Sequence, residues 1–311
     1  MPPRLPSLLC PVCRKTLSPA FGDGDGAARP RALACAEGHS FDAARPRALA
    51  CAEGHSFDAA RQGYFNLLVG KGTAFQPDSA DMVAARAAFL DAGHYRPLAA
   101  AVAGAAAPAL QGPEPAVLDS GTGTGHYLRA VLDGAGSAGR IAAVGLDISK
   151  FALRRAAKLN PDAVNLVSDV WQQFPVADTA VDVVTVVFAP RNPAEFARVL
   201  KPSGRLIVVT PRPGHLAEIA SQAGMLGIEP AKDERLADAL TGHFELLSAQ
   251  DVDLALALSP QDVANLALMG PAGHHTDRPE LTARLAGFPA VTAVSGKFRI
   301  SVFVPRKTAA A

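Results

Sequence analysis

The sequence predicts an α/β protein: a mostly parallel sheet with crossover helices, preceded by a small metal-binding segment. Three observations carry this. From residue 115 onward short apolar runs alternate with helical stretches, the pattern of parallel strands joined by helices. Within that region VLDSGTGTG at 117–125 places a glycine loop between a strand and a helix. All four cysteines fall in the first 51 residues, two of them as C-x2-C, and a clustering of this kind in a reducing compartment points to metal, not disulfides.

The 311 residues are 49% hydrophobic and 19% charged, so the chain can bury a sizeable core and is not a disordered tail. A net charge of +1 excludes a strong global field for nucleic acid. Residues 1–75 nevertheless hold nine basic against six acidic side chains, which makes the front end the better place for phosphates. Neither MPPRLPSLLCPVC nor AAAVAGAAAPAL is an uninterrupted apolar segment long enough to be a signal or to span a bilayer, so no membrane partner and a cytoplasmic location are expected.

Residues 1–62 form the first unit. The stretch ARPRALACAEGHSFDA occurs twice in succession, at 28–43 and 44–59. Each copy carries one C-x3-H, so Cys10 and Cys13 can be completed by Cys51 and His55 or by the alternative pair Cys35 and His39. Either choice gives three thiolates and one imidazole, a closed tetrahedral set suited to structural Zn²⁺. A four-thiolate site using Cys35 and Cys51 together is a rarer option. Loop entropy separates the copies by only about 0.5 kcal/mol.

Residues 63–110 form a helical connector, with Asp78 and Ser79 at N-cap positions before an alanine-rich apolar periodicity that reads as one or two helices. Residues 111–311 carry the sheet, ending in the strand KFRISVFVP, expected antiparallel at its edge. In the loop after the first strand, Asp119 is followed by Gly121, Gly123 and Gly125, with Thr124 between the last two. Glycines permit the turn and leave helix N–H groups open to a ligand. His126 stands where G-x-G-x-x-G requires glycine, which argues against a nicotinamide or flavin site. Asp147 ends the next strand, placed to accept from ribose hydroxyls, and Asp169 follows the one after.

The glycine loop with these acids resembles the S-adenosylmethionine site of class I methyltransferases, which implies a Rossmann-like, mostly parallel seven-stranded sheet. The segments CPVC, CAEGHSFDAARQGYFNLL, DSADMVAARAAFLDAGHYRPL, VFAPRNPAEFARVLKPSGRLIVVTP and GHLAEI are similar to the large-subunit (23S) rRNA guanine-N1 methyltransferases. VFAPRNP and DMVAARAAFLDAGHY look closest to the Gram-positive branch that includes the tylosin-type macrolide resistance enzymes. The resemblance implies cofactor contacts at Tyr95, His215, Gly121, Gly123 and Thr124, an rRNA hairpin as substrate, RNA docking by the zinc finger, a link to macrolide resistance and a homodimer. It also implies that the loop after the fourth strand holds a flipped base, with Phe188 and Pro190 lining the pocket. N1 of guanine bears a proton at neutral pH, and Asp169, His94 and His126 are the possible acceptors. The family pattern has one C-x3-H running straight into SFDAARQGYF, which favours Cys51 and His55. Competing readings are a zinc-containing methyltransferase of small molecules and a non-catalytic RNA-binding module.

Overall fold

The computed structural model describes residues 6–20, 33–34, 40–41, 47–70, 72–135, 141–225 and 239–306. The N-terminal unit contains β1 (Leu8–Leu9), β2 (Thr16–Ala20), β3 (Leu33–Ala34), β4 (Ser40–Phe41), β5 (Ala48–Ala50) and β6 (Ser56–Asp58). Antiparallel pairing in the order β1-β2-β5-β6 builds a small sheet, and β3 pairs with β4 separately.

The main sheet is built from β7 (Tyr64–Asn66), β8 (Ala116–Ser120), β9 (Ala142–Asp147), β10 (Val164–Val167), β11 (Val181–Val187), β12 (Leu200–Pro211), β13 (Phe244–Leu258) and β14 (Thr292–Pro305). Its order is β13-β14-β12-β11-β8-β9-β10-β7. Pairing from β12 through β11, β8, β9 and β10 to β7 is parallel, whereas β14 runs antiparallel to both β12 and β13. Every residue of β8 and β10 is buried, as strands covered on both faces require.

Two features differ from the sequence expectation. KFRISVFVP lies within β14, which is inserted between β12 and β13 and is not at the edge. The edge belongs to β13, whose residues 245–251 are exposed and lack an apolar run. Beyond the seven expected strands, β7 adds an eighth from the connector, burying Tyr64 and Phe65. Three residues are too few to carry a period.

The helices are α1 (Ala80–Asp91), α2 (Arg96–Ala106), α3 (His126–Gly134), α4 (Lys150–Leu159), α5 (Pro193–Val199), α6 (Ala217–Ala220), α7 (Pro260–Met269) and α8 (Arg278–Leu285). The connector starts as read: the Ser79 hydroxyl accepts from the Met82 N–H at 3.2 Å and so satisfies one orphan donor of α1. One face of the sheet packs on α1, α2, α3, α7 and α8 through Phe89, Leu98, Leu128, Leu266 and Phe298. On the other face Leu8, Cys10, Leu17, Leu49 and Cys51 join Leu166, Phe174, Val176 and Phe196 in one cluster. The N-terminal unit is therefore docked. Leu9 N–H donates to the Pro175 carbonyl at 3.1 Å and Ala177 N–H to the Ser7 carbonyl at 2.8 Å. Both terminal nitrogens of Arg14 donate to the Phe174 carbonyl at 3.2 Å.

Candidate functional site

The carboxyl ends of β8, β9 and β10 meet at the glycine loop. Gly121 N–H and Thr122 N–H both donate to the Leu146 carbonyl, at 2.8 and 2.9 Å, which ties the loop to β9. Gly121 has φ +76°, and a Cβ there would sit 2.3 Å from the Ala189 Cβ in the loop after β11. Gly125 has φ +82° at the N-cap of α3, and a Cβ there would sit 2.4 Å from Asn160 Nδ2, which donates to the Gly125 carbonyl at 2.9 Å. Glycine is thus required by both backbone angle and packing. Thr124 is buried between them.

Three acids stand around this loop in different states. Asp119 is 2% exposed and accepts from the Thr185 hydroxyl at 2.7 Å. Burial pushes its carboxyl up to about 6, with the Thr185 hydroxyl opposing and the charge of Asp147 assisting. Asp147 accepts from Gly123 N–H at 2.9 Å and Ser149 N–H at 2.8 Å; burial raises it, while those bonds and the charge of Arg86 pull the other way. Asp169 accepts from Trp171 N–H at 3.0 Å and from the Thr73 hydroxyl at 2.7 Å.

A chain of rings connects the remaining predicted residues. Tyr95, 2% exposed, meets Phe89 and Phe298 edge-on with centroids 4.9 and 5.0 Å away. His215 lies 4.6 Å from Phe298, and its Nδ1 accepts from Lys297 N–H at 3.0 Å. Burial holds that imidazole down to about 4, so it is neutral with its proton on Nε2. Phe188 takes a left-handed φ of 55° that leaves its ring 44% exposed, 5.6 Å from Phe298 and 6.3 Å from Tyr127. A non-glycine residue in that conformation is strained, and strain of this kind concentrates at functional loops. Pro190 is exposed on the same loop.

The three possible proton acceptors differ in their partners. Asp169 accepts one hydrogen bond on each carboxylate oxygen, from Trp171 N–H and from the Thr73 hydroxyl. His94 stacks on Phe89 at 4.8 Å and pairs with Asp262 at 3.2 Å. His126 lies 5.3 Å from the Tyr127 ring; burial lowers its pKa, and its buried Nε2 has no hydrogen-bond partner among the described residues.

Several residues at the site carry no motif and are not legible in the sequence. Arg86 on α1 pairs with Asp78, donates to the Met269 carbonyl at 2.8 Å and lies against Gly123. Tyr127 is buried behind the glycine loop with an unbonded hydroxyl. Phe75 and Trp171 are about half exposed, with centroids 6.0 Å apart. Asn192 Nδ2 donates to the Val170 carbonyl at 3.0 Å and so joins the Trp171 loop to the Phe188 loop. The lone cation in AARAAFL and the lone tryptophan of the chain were the available signals.

In the N-terminal unit Cys10, Cys13, Cys51 and His55 bring their ligand atoms within 4.8 Å of one another. Cys13 Sγ lies 3.6 Å from Cys51 Sγ, which is 3.3 Å from His55 Nδ1. Sulfur atoms on a tetrahedron with metal bonds of about 2.3 Å are separated by about 3.8 Å, so the donor set fits zinc. Burial pushes the Cys51 thiol up, but hydrogen bonds from the His55 ring and backbone and from Cys13 outweigh it and bring it to about 6. Turns at Arg14 (φ 62°) and Gly54 (φ 82°) fold the two ligand pairs back on themselves. Cys35 and His39 lie outside the described residues.

Residues 117–204 match the methyltransferase domain family. A 23S rRNA (guanine-748-N1)-methyltransferase of Streptomyces fradiae is 43% identical over 96% of this chain and 96% of its own length. A candidate 23S rRNA (guanine-N1-)-methyltransferase of Micromonospora griseorubida is 44% identical over 98% of this chain and 99% of its own. A further candidate of that activity from Bacillus subtilis is 39% identical over 68% of this chain and 66% of its own.

Proposed function

Because the chain belongs to the 23S rRNA guanine-N1 methyltransferase family, we propose that it transfers a methyl group from S-adenosylmethionine to N1 of a guanine in a hairpin loop of 23S rRNA. The observation that carries the chemistry is the buried Asp119 beside the glycine loop. Its carboxylate accepts from a neutral hydroxyl and is pushed up to about 6, the condition of an acid awaiting a cation. S-adenosylmethionine brings two cationic groups, a sulfonium and an ammonium.

Asp147 would take the ribose hydroxyls, Asp169 would stand at the base end, and Gly121, Gly123, Thr124 and Gly125 would cradle the ligand with backbone. Tyr95 and the Nε2–H of His215 complete the wall. Bound S-adenosylmethionine supplies an electrophilic methyl group. The protein's part is to hold guanine N1 in line with it and to exclude water. Phe188 offers its exposed face to the flipped base. Phe75 and Trp171 extend the apolar rim toward neighbouring bases, which RNA-binding proteins stack on aromatic rings. As the N1–methyl bond forms and the sulfur–methyl bond breaks, the N1 proton must leave. Of the three acceptors considered, His126 is in the form this needs, neutral by burial and with a free Nε2.

The Cys10, Cys13, Cys51, His55 cluster would hold structural Zn²⁺ and, through residues 1–62, support RNA docking. The region 63–110 contributes to the cofactor site and 111–311 forms the methyltransferase domain. Exposed Leu246 and Leu247 on the edge strand β13 would serve a homodimer. Light scattering on the zinc-loaded protein tests this, and a monomer at every concentration would exclude it.

The activity is tested by incubating undermethylated 23S rRNA with the protein and labelled S-adenosylmethionine, then mapping primer-extension stops. A block at one guanine is expected. Label in a small molecule only, or RNA binding without label transfer, would overturn the reading.

A further inference from the structure

The turn that carries Cys10 and Cys13 is closed by Arg14, whose N–H donates to the Cys10 carbonyl at 2.9 Å and whose φ of 62° is left-handed. A non-glycine residue held in that conformation needs a reason in its surroundings. Its side chain supplies one: Nη1 and Nη2 both donate to the Phe174 carbonyl at 3.2 Å, in the loop after β10. That carbonyl also accepts from Arg198 Nη2 at 3.2 Å. Phe174 N–H donates to Glu195 Oε2 at 2.6 Å, and Arg198 holds the same carboxylate through Nε at 2.8 Å and Nη2 at 2.6 Å. Trp171 stands between two ties to α5. Before it, the Val170 carbonyl accepts from Asn192 Nδ2 at 3.0 Å; after it, Phe174 meets Glu195. Asn192 is the N-cap of α5 and Glu195 lies in its first turn, so one helix end holds both sides of the Trp171 turn. Arg14 adds a third hold, and it comes from the metal-binding turn.

We propose that Arg14 is a positioning residue for RNA binding: through the Phe174 carbonyl it fixes the Trp171 ring, so that the Cys10–Cys13 turn as well as α5 sets where that ring meets a base. This rests on the rRNA reading above, in which Trp171 stacks on neighbouring bases. Docking of the N-terminal unit does not need Arg14. The Leu9 N–H bond to the Pro175 carbonyl, the Ala177 N–H bond to the Ser7 carbonyl and the buried cluster around Leu8, Cys10 and Leu49 already hold that unit in place. What the guanidinium adds is orientation, because its planar fork presents two donors to one acceptor where an ammonium presents a point charge.

The test compares Arg14→Met and Arg14→Lys with the wild type, each as the zinc-loaded full chain. Trp171 is the single tryptophan of the sequence, so its emission reads the ring directly before any RNA is added. Arg14→Met should keep one zinc per chain by mass spectrometry and an unchanged affinity for S-adenosylhomocysteine, because Arg198 still satisfies the Phe174 carbonyl. Its Trp171 emission should move to longer wavelength and be quenched more readily by acrylamide. Arg14→Lys, which keeps a charged donor, should recover most of that change. Binding of an undermethylated 23S rRNA transcript should weaken about 5- to 30-fold in Arg14→Met, within the range of about 5- to 150-fold that removal of the ring itself can cost. In a Trp171→Ala background Arg14→Met should cost less than about twofold, since the residue it acts through is gone. Loss of zinc from Arg14→Met, or an unchanged emission, would overturn the proposal. Additive losses in the double variant would overturn it too, because Arg14 would then meet RNA on its own account. If the wild type binds no rRNA, the RNA reading itself falls, and the emission measurement alone decides whether Arg14 positions Trp171.

Discussion

Replacing Asp119 by Asn removes a buried charge while keeping an oxygen for the Thr185 hydroxyl. The magnitude comes from the shift of its carboxyl from 3.8 to about 6. A folded pKa above the unfolded one means that the native state binds the proton more tightly. Its contribution to stability is therefore fully present below about pH 4 and is lost as pH rises through 6. Between about pH 4.5 and about pH 8 the wild type loses about 2 kcal/mol through this group, at about 1.4 kcal/mol per pH unit up to its pKa. The Asn variant has no such loss. Burying an amide adds a cost of its own, but that cost is the same at both pH values and cancels. Urea denaturation of both proteins at the two pH values should show the variant gaining about 2 kcal/mol on the wild type at the higher pH. A constant offset would refute the reasoning, because it would mean that Asp119 is charged in both folded and unfolded protein throughout. The same variant should bind S-adenosylhomocysteine about 10- to 100-fold less tightly, having lost the partner of the ammonium.

Other substitutions separate the parts. Gly121→Ala must accommodate a Cβ 2.3 Å from Ala189 at a positive φ; chemical denaturation should show a loss of about 2–4 kcal/mol, and cofactor titration should show no binding. Cys51→Ala should release zinc from the purified protein, whereas Cys35→Ala should retain one metal per chain by mass spectrometry; equal losses would mean that both copies share the site. Trp171→Ala removes an exposed ring and should weaken binding of the rRNA hairpin by about 1–3 kcal/mol in a filter assay. Its affinity for S-adenosylhomocysteine should be unchanged, and a drop in both would place the ring in the cofactor site instead.

The features legible in the sequence are those that local chemistry determines. The glycine loop, the strand-end acids and the Ser79 cap each depend on a short range of residues whose types suffice. β14 was visible through KFRISVFVP, but its place in the sheet was not, because insertion between β12 and β13 depends on a partner that the pattern hides. β13 is 15 residues long with one face largely exposed, so apolar and polar positions do not alternate cleanly until Val252. Arg86 illustrates the same limit at the site. Within α1 it is one arginine among alanines, and nothing nearby in sequence marks it; it reaches the site because the fold lays its side chain against Gly123, some 35 residues later. Tyr127 fails for the opposite reason. It stands two residues after Gly125, where any apolar residue would satisfy helix packing, and only the unpaired hydroxyl distinguishes it.

The duplicated stretch shows how tertiary context selects between identical segments. In the first copy Leu33 pairs with Phe41 and Ala34 with Ser40; in the second, Leu49 pairs with Phe57 and Ala50 with Ser56. The registers are equivalent, as identical sequences with identical local preferences should be. Local propensity therefore cannot choose the zinc ligands. The second copy differs in the segment downstream of it. After β6, Ala59 bridges to Phe65, and β7 pairs in parallel with β10 at the edge of the main sheet. Only the copy joined directly to β7 can pair with β2 on one side, present Cys51 and His55 to Cys10 and Cys13, and deliver the chain to that edge without a slack segment. If this constraint decides, deletion of residues 28–43 should leave zinc content and methyl transfer intact. Deletion of 44–59 yields the identical chain, in which the remaining copy is the one joined to β7, so loss of zinc or of methyl transfer on that deletion would refute the constraint.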